Sequence, residues 1–216
     1  MSTWVLLRAA GVGAYLMLFL AVTWGLLGTT GVLGTRVPKA TATTVHQYLG
    51  AAVLPLLAIH LGGLLVDRFR PFHVLDLVVP LHSSFRPLAV AFGVLALYST
   101  ILVLVTSWTR KRVGLVWWRA LHIAATPAFI LAMLHGIFAG TDAGRPWLWW
   151  TYVVTGCIVL FLLLVRALTV GVRPERKPLP AGARSRSRPA RPAPVDVSGA
   201  TDASVERSDV VTAGRG

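Results

Sequence analysis

Four histidines lie within apolar stretches of the sequence, where an ionisable side chain is costly. His46 and His60 are 14 residues apart in one stretch, and His122 and His135 are 13 residues apart in another. Ionisable residues at membrane depth are functional candidates, because hydrocarbon solvates them poorly. Neutral imidazole binds zinc, copper and iron. A single histidine in such a stretch is as readily a hydrogen-bonded core residue as a metal ligand. Four histidines on two stretches favour a metal or metal-cofactor centre.

The spacing of these histidines predicts two facing pairs. A separation of 14 residues is close to a whole number of helical turns, so His46 and His60 share a face with a rise of about 21 Å between them. The 13 residues from His122 to His135 leave those rings about 140° apart on an ideal helix, and Pro127 between them can kink the helix. One helix separates the two stretches, so they run parallel. His46 is therefore expected level with His122, and His60 level with His135.

Each pair lacks the further ligands that a bare metal ion needs. The acidic residue nearest to them is Asp67, which falls in a loop, and the chain has a single cysteine. Haem supplies four equatorial nitrogens and takes two axial ligands from facing helices. The pattern thus favours two haem b groups, bound without covalent attachment because no Cys-x-x-Cys-His occurs. Four small residues near the histidines are expected to admit the macrocycles: Gly50, Gly62, Gly63 and Gly136.

Basic residues near the histidines are candidates to pair with haem propionates. Arg119 is the best of them, because it lies three residues before His122 and so close to the same helical face. For the other arginines near the spans, membrane topology alone explains the charge. No set of side chains typical of a hydrolase or of acid–base catalysis is found, so no catalytic residue is predicted.

The composition predicts an all-α, membrane-embedded bundle. Charged residues make up 13% of the chain, against roughly 25% in soluble proteins. Apolar runs of 22 to 24 residues are long enough to cross about 30 Å of hydrocarbon. Tryptophans mark their ends, as in an aromatic belt. Five membrane helices are predicted: Val5–Leu27, Thr44–Val66, Pro87–Trp108, Trp117–Ala139 and Trp147–Val170.

The remaining segments are a loop and a tail. The loop from Asp67 to Arg86 contains an apolar stretch, Val74–Leu81, that is too short to span and is expected to be interfacial or re-entrant. Residues 171–216 are rich in Pro, Arg and Ser and lack aromatic residues, which predicts a disordered, basic tail. Two regions follow: a membrane domain over residues 1–170 and a tail over 171–216.

The distribution of positive charge predicts the orientation. The formal net charge is +13, but the basic residues concentrate in short loops and in the tail. This is a topology signal, and it argues against nucleic acid as a partner. The side carrying Arg36, Lys39, Arg110–Arg112 and the tail is the more basic and should be cytoplasmic. The protein is therefore expected in the cell membrane, with its N-terminus outside and its tail in the cytoplasm.

The two histidine helices resemble those of the ferric reductase-like transmembrane domain. That family pairs a helix with His-x13-His and a helix with His-x12-His around a connecting helix, and it includes ferric-chelate reductases, NADPH oxidases and the haem subunit of a bacterial methionine-sulfoxide reductase. The resemblance covers about residues 1–170 and implies an inner haem on His46 and His122 and an outer haem on His60 and His135. The chain departs from larger members in having five spans and no flavin or nicotinamide domain.

Three functions remain open from the sequence. The first is a b-type cytochrome that passes electrons across the bilayer, from a flavoprotein or quinol donor to an external acceptor. Such a chain is an oxidoreductase component without its own flavin or NAD(P)H domain. The second is a quinol-oxidising haem subunit that feeds a periplasmic reductase. The third is a non-redox membrane protein whose histidines bind a transported metal.

The predicted orientation is testable with topology reporters. A reporter fused after residue 180 should be active only in its cytoplasmic form, because the basic side of a membrane protein faces the cytoplasm. The same reporter inserted in the loop of residues 67–86 should be active only in its external form. The opposite pattern would reverse the proposed direction of the two histidine helices.

Overall fold

The computed structural model of the chain describes residues 3–30, 37–68 and 72–170. These residues form helices and connecting turns, and no strand occurs within them. The described helices, in chain order, are α1 (Thr3–Thr30), α2 (Lys39–Val66), α3 (Val74–Val78), α4 (Pro87–Trp108), α5 (Arg110–Val113), α6 (Leu115–His122), α7 (Ala125–Ala139) and α8 (Pro146–Val170). The predicted tail, Arg36 and Arg70 lie outside the described residues.

Five segments of the described chain are long and apolar enough to cross a membrane. They are Trp4–Thr30, Lys39–Val66, Pro87–Trp108, Leu115–Ala139 and Pro146–Thr169. The prediction of an all-α, multi-pass membrane bundle with five spans is confirmed. Helix α2 begins five residues before the predicted Thr44. It starts directly after Pro38, whose carbonyl accepts the first helical hydrogen bond, from the Ala42 N–H at 3.0 Å.

The fourth span is interrupted between α6 and α7. Pro127 has no N–H to donate to the carbonyl of Ile123, and the Thr126 N–H donates to that carbonyl instead, at 3.1 Å. The Ala124 N–H likewise donates three residues back, to the carbonyl of Leu121 at 3.0 Å. Bonds of this kind tighten the helix to about 3.0 residues per turn and so increase the rotation per residue. The span is therefore interrupted just before Pro127, the residue at which the sequence allows a kink.

Between α2 and α4 the chain forms the short helix α3. The backbone N–H of His73 donates to the Asp76 carboxylate at 2.9 Å, and the two residues form a capping box at the helix start. Tyr98 of α4 donates its hydroxyl to the carbonyl of Val78. The short apolar stretch predicted to be interfacial or re-entrant is thus a single helical turn, held against α4 and too short to span.

Helix α1 forms the centre of the core. Its Tyr15 ring stacks on Phe129 of α7, with ring centroids 5.6 Å apart, and meets Tyr152 of α8 edge-on at 5.2 Å. The Tyr15 hydroxyl also hydrogen-bonds the Thr155 hydroxyl of α8 at 2.5 Å. Lipid and core are equally apolar, so close packing and such polar contacts are what join helices in a membrane. These side chains therefore tie α1, α7 and α8 together.

The packing of the other helices keeps the backbone of α2 apart from those of α4 and α7. Helix α2 packs along α1, and α4 packs along α7, but α2 makes at most marginal contact with α4 and α7. Of the five spans, α2 is also the least buried. His46 and His60 on α2 therefore face α6 and α7 across a space that backbone-to-backbone packing does not fill.

The core position of Phe129 gives a test of this packing. Phe129 is 1% exposed, whereas Phe161 on the outer face of α8 is 64% exposed. Phe129→Ala should lower the free energy of unfolding by about 3 kcal/mol, because the cavity loses contacts on all sides. Phe161→Ala should leave it almost unchanged. Unfolding in mild detergent measures both variants, and equal effects would contradict the core assignment.

Candidate functional site

The four intramembrane histidines form two facing pairs. The ring centroids of His46 and His122 are 5.8 Å apart, and those of His60 and His135 are 6.4 Å apart. The ring planes cross steeply, at 67° in the first pair and 80° in the second. The structure thus brings together the pairs that the sequence spacing predicts. The helix between His122 and His135 is not straight, since it is interrupted between α6 and α7.

Two of the histidines donate a ring N–H to a backbone carbonyl of a neighbouring helix. His60 Nδ1 lies 3.0 Å from the carbonyl oxygen of Leu7, and His135 Nδ1 lies 2.8 Å from that of Ala89. A carbonyl oxygen only accepts, so Nδ1 carries the proton in both rings. In a neutral imidazole, Nε2 then keeps the lone pair and is the ligand atom. Such an outer hydrogen bond is how proteins orient metal-binding histidines.

A glycine makes each of these contacts possible. Leu7 is four residues before Gly11, and Ala89 is four residues before Gly93, so each carbonyl lies under the position of its glycine. A Cβ at Gly11 would lie 2.8 Å from His60 Nδ1, and one at Gly93 would lie 2.7 Å from His135 Nδ1. Both distances are shorter than van der Waals contact. Any side chain there would push the ring away from the carbonyl.

The His46 ring also lies against a glycine of α1, but at a longer distance than the His60 ring does. A Cβ at Gly25 would lie 3.2 Å from His46 Cε1, and Ala21, four residues earlier, presents the neighbouring carbonyl. His46 Nδ1 is buried but has no hydrogen bond of normal geometry. The Ala21 carbonyl lies near this nitrogen but does not reach the distance and angle of a hydrogen bond. His46 is therefore positioned mainly by packing.

His122 has a side-chain partner instead of a carbonyl. Its Nδ1 lies 3.4 Å from the Ser107 hydroxyl of α4, and its ring packs against Trp118 with centroids 5.1 Å apart. The Trp118 indole N–H donates to the same hydroxyl at 3.3 Å. The His46–His122 pair is thus held by weaker polar contacts than the His60–His135 pair.

Other residues named from the sequence take different positions. Arg119 lies on α6, one turn before His122, and is exposed; its pairing with a propionate stays a prediction. Among the expected small residues, Gly63 packs against Leu7 and Gly136 against Tyr152, whereas a Cβ at Gly62 would meet nothing within 4 Å. The glycines that contact the imidazoles are instead on α1 and α4.

Sequence reasoning missed these glycines because they are distant along the chain from the histidines. A signal was nevertheless present. Gly11 and Gly25 are 14 residues apart on α1, which is also the spacing of His46 and His60 on α2. In an antiparallel helix pair, equal spacings place both glycines opposite both histidines.

The chemistry open to the pairs follows from their ligand number. Within residues 3–30, 37–68 and 72–170, no three side chains of His, Cys, Asp or Glu come together as a metal site. Each pair offers two nitrogen ligands from opposite sides of a gap. This ligand set fits a cofactor that brings its own equatorial ligands.

An ion pair lies beside the site, at the end of α1 nearest His60. The Arg8 guanidinium contacts the Asp142 carboxylate in the turn between α7 and α8, and it also lies over the Trp4 ring at 3.5 Å. Arg8 follows Leu7, whose carbonyl holds His60. The ion pair therefore links the carbonyl that positions His60 to the end of α7, the helix that carries His135.

Comparison with protein-family models, curated proteins and solved structures gives no match for this chain. The resemblance to ferric reductase-like domains therefore rests on the histidine pattern alone.

The glycine contacts predict a specific clash. Gly93→Ala should lower the free energy of unfolding by about 1–3 kcal/mol, because the added methyl meets the His135 ring in a packed interface. Gly28→Ala is the matched control: its Cβ meets nothing within 4 Å, and alanine favours a helix over glycine.

A double-mutant cycle identifies the cause of the destabilisation. If the methyl clashes with the imidazole, Gly93→Ala should cost much less in a His135→Ala background. Unfolding curves in detergent measure all four proteins. Equal costs in both backgrounds would rule out the clash.

Proposed function

We propose that this protein is a membrane b-type cytochrome that passes electrons across the bilayer through two haems, one held by His46 and His122 and one by His60 and His135. We propose further that it is related to ferric reductase-like transmembrane domains. The observation that carries the proposal is the presence of two level imidazole pairs within apolar helices.

The ring separations support axial ligation of one iron by each pair. An imidazole nitrogen binds a transition metal at about 2.0 Å, and the ring centre lies about 1 Å behind that nitrogen, so two axial imidazoles have centres about 6 Å apart. The observed separations are 5.8 Å and 6.4 Å. Both separations also lie within the range of about 4.5–7 Å for rings in direct edge-to-face contact, so they are compatible with ligation but do not by themselves require it.

The hydrogen bonds of the outer ring nitrogens support the same reading. Leu7 and Ala89 hold the Nδ1–H groups of His60 and His135, which leaves Nε2 of each ring to bind a metal. Donation to a carbonyl also raises the electron density of the imidazole and favours its binding to oxidised iron. Bound haem would supply one-electron redox chemistry, and two axial histidines per iron would leave no open position for oxygen.

The arrangement of the helices supports passage across the membrane. His46 and His60 are 14 residues apart on one helix, a rise of about 21 Å. The pairs thus lie at two depths of the same bundle. We propose that the His46–His122 pair faces the cytoplasm, with a flavoprotein or quinol as donor, and that the His60–His135 pair faces an external acceptor. Arg119 is the proposed partner of a propionate.

A quinol-oxidising subunit for a periplasmic reductase is the second candidate. An apolar cleft of about 510 Å³ favours it; Pro87, Leu88, Phe92 and Phe138 line the cleft, together with Arg86 and Ala89. Ala89 also holds His135 through its carbonyl. Because a quinol can also be the donor of the first candidate, the acceptor separates the two. In the first, the reduced protein passes electrons directly to a soluble acceptor such as a ferric chelate, whereas in the second it does so only through a periplasmic reductase. A transported metal ion is less well supported, since each pair supplies two ligands.

Spectra of histidine variants test the proposal. The purified protein should hold close to two non-covalent haems per chain by the pyridine haemochrome assay. His46→Ala and His122→Ala should each lose the same spectral component, and His60→Ala and His135→Ala the other, because a side chain cannot reach the pair about 20 Å away. Each single variant should bind carbon monoxide at the opened site or lose that haem.

The control is the loop histidine variant His82→Ala, which should leave both components intact. A colourless protein from haem-replete cells would refute the central claim. If His46→Ala and His60→Ala removed the same component, the pairing would be wrong.

A further inference from the structure

The four imidazoles meet their neighbouring helices at regularly spaced points. On α1 the contacts are at Gly11 and Gly25, and on α4 they are at Gly93 and Ser107. The two contact points on each helix are 14 residues apart. Three of the four points carry glycine, and the fourth carries serine. The carbonyl under each point belongs to the residue four positions earlier: Leu7, Ala21, Ala89 and Val103.

Ser107 differs from the glycines because its side chain covers the carbonyl beneath it. Its hydroxyl bonds to the Val103 carbonyl at 2.6 Å. That carbonyl only accepts, so the single hydroxyl proton of Ser107 is used there. The two lone pairs of the hydroxyl remain, and they face the N–H of Trp118 at 3.3 Å and Nδ1 of His122 at 3.4 Å.

The direction of these bonds fixes the state of His122. Ser107 has no second proton to give, so His122 Nδ1 must be the donor in their contact. Nε2 of His122 then carries the lone pair. This is the same state that direct carbonyl contacts impose on His60 and His135.

We propose that Ser107 is a positioning residue of the His46–His122 site, whose hydroxyl relays the Nδ1–H of His122 to the Val103 carbonyl in place of the direct carbonyl contact. The inference rests on the proposed haem function. It adds a residue that contacts neither the cofactor nor a substrate and that acts through His122. Nδ1 of its partner His46 is buried without a hydrogen-bond partner, so in this pair the polar restraint on a ring Nδ1 comes from Ser107.

Three variants distinguish the relay from simple packing. Ser107→Ala keeps the Cβ that covers the Val103 carbonyl and removes the acceptor, so His122 loses its partner. Ser107→Gly uncovers the carbonyl and recreates the arrangement at Gly93, so His122 can donate directly. Thr109→Val is the matched control, because the Thr109 hydroxyl bonds to the Val105 carbonyl at 2.7 Å and not to the Val103 carbonyl of the relay.

In the haem-loaded protein, Ser107→Ala should release haem from the His46–His122 site about 10-fold faster, the lower end of typical outer-ligand effects. The midpoint potential of that component should rise, because an imidazole without its acceptor stabilises oxidised iron less. Ser107→Gly and Thr109→Val should resemble the unaltered protein, and the His60–His135 component should be unchanged in all three. Haem transfer to a soluble apoprotein and a redox titration followed optically measure these effects.

The order of the variants is the decisive result. Glycine is a poorer helix former than alanine, so a purely structural role predicts that Ser107→Gly is less stable and releases haem faster than Ser107→Ala. That order, or a Ser107→Ala protein that matches the unaltered one in both measurements, would overturn the proposal.

A measurement on haem-free protein separates this inference from the function on which it rests. Nitrogen NMR of the histidine rings should show His122 protonated at Nδ1 in the unaltered protein and in Ser107→Gly, and a mixture of tautomers in Ser107→Ala. The His122 signal is assigned from its loss in His122→Asn. If the protein bound no haem and His122 still showed this pattern of tautomers, the relay would stand while the cytochrome function failed. If the His122 tautomer were the same in all variants, the relay would be refuted.

Discussion

The hydrogen bond between an imidazole and a carbonyl of the neighbouring helix is the interaction on which the site depends. Hydrocarbon offers no water to satisfy a ring N–H, so a partner within the bundle stabilises an intramembrane histidine, as it does for His60 and His135. A helical carbonyl already accepts one N–H and has a second lone pair free. Only a residue without a side chain, four positions later, lets the ring approach it, as Gly11 does for His60 and Gly93 does for His135.

This requirement also governs how the helices pair. Each histidine-bearing helix packs along a helix that supplies carbonyls: α2 along α1, and α7 along α4. The histidines then face each other between the two pairs of helices rather than within one. A gap between α2 and α7 follows from this division of contacts. Tyr15, Phe129 and Tyr152 hold the two halves together elsewhere in the core, so the gap does not depend on direct packing of the imidazoles.

The two pairs are built alike but are not equally restrained. His60 and His135 each have a carbonyl at normal hydrogen-bond distance, while His122 meets a hydroxyl at 3.4 Å and His46 has no bond of normal geometry. An axial imidazole with a strong acceptor donates more electron density to its metal. If each pair holds a haem as proposed, hydrogen bonding alone would give the two sites different redox properties.

The sequence by itself determined the five spans, the spacing of the histidines along their helices and which histidines face each other. Apolar length and helical pitch suffice for these, because both are properties of single helices. It also marked Pro127 as a residue at which the helix can kink. Only the structure shows the interruption at Ile123 and Ala124, which lies between His122 and His135. Only the tertiary structure decided which glycines and carbonyls hold the imidazoles. Gly50, Gly62, Gly63 and Gly136 lie nearer to the histidines along the chain, but Gly11, Gly25, Gly93 and Ser107 lie nearer in space. The physical reason is that a residue's own helix cannot supply these contacts: its carbonyls point along the helix axis, and an imidazole projecting outward meets the backbone of whichever helix packs beside it.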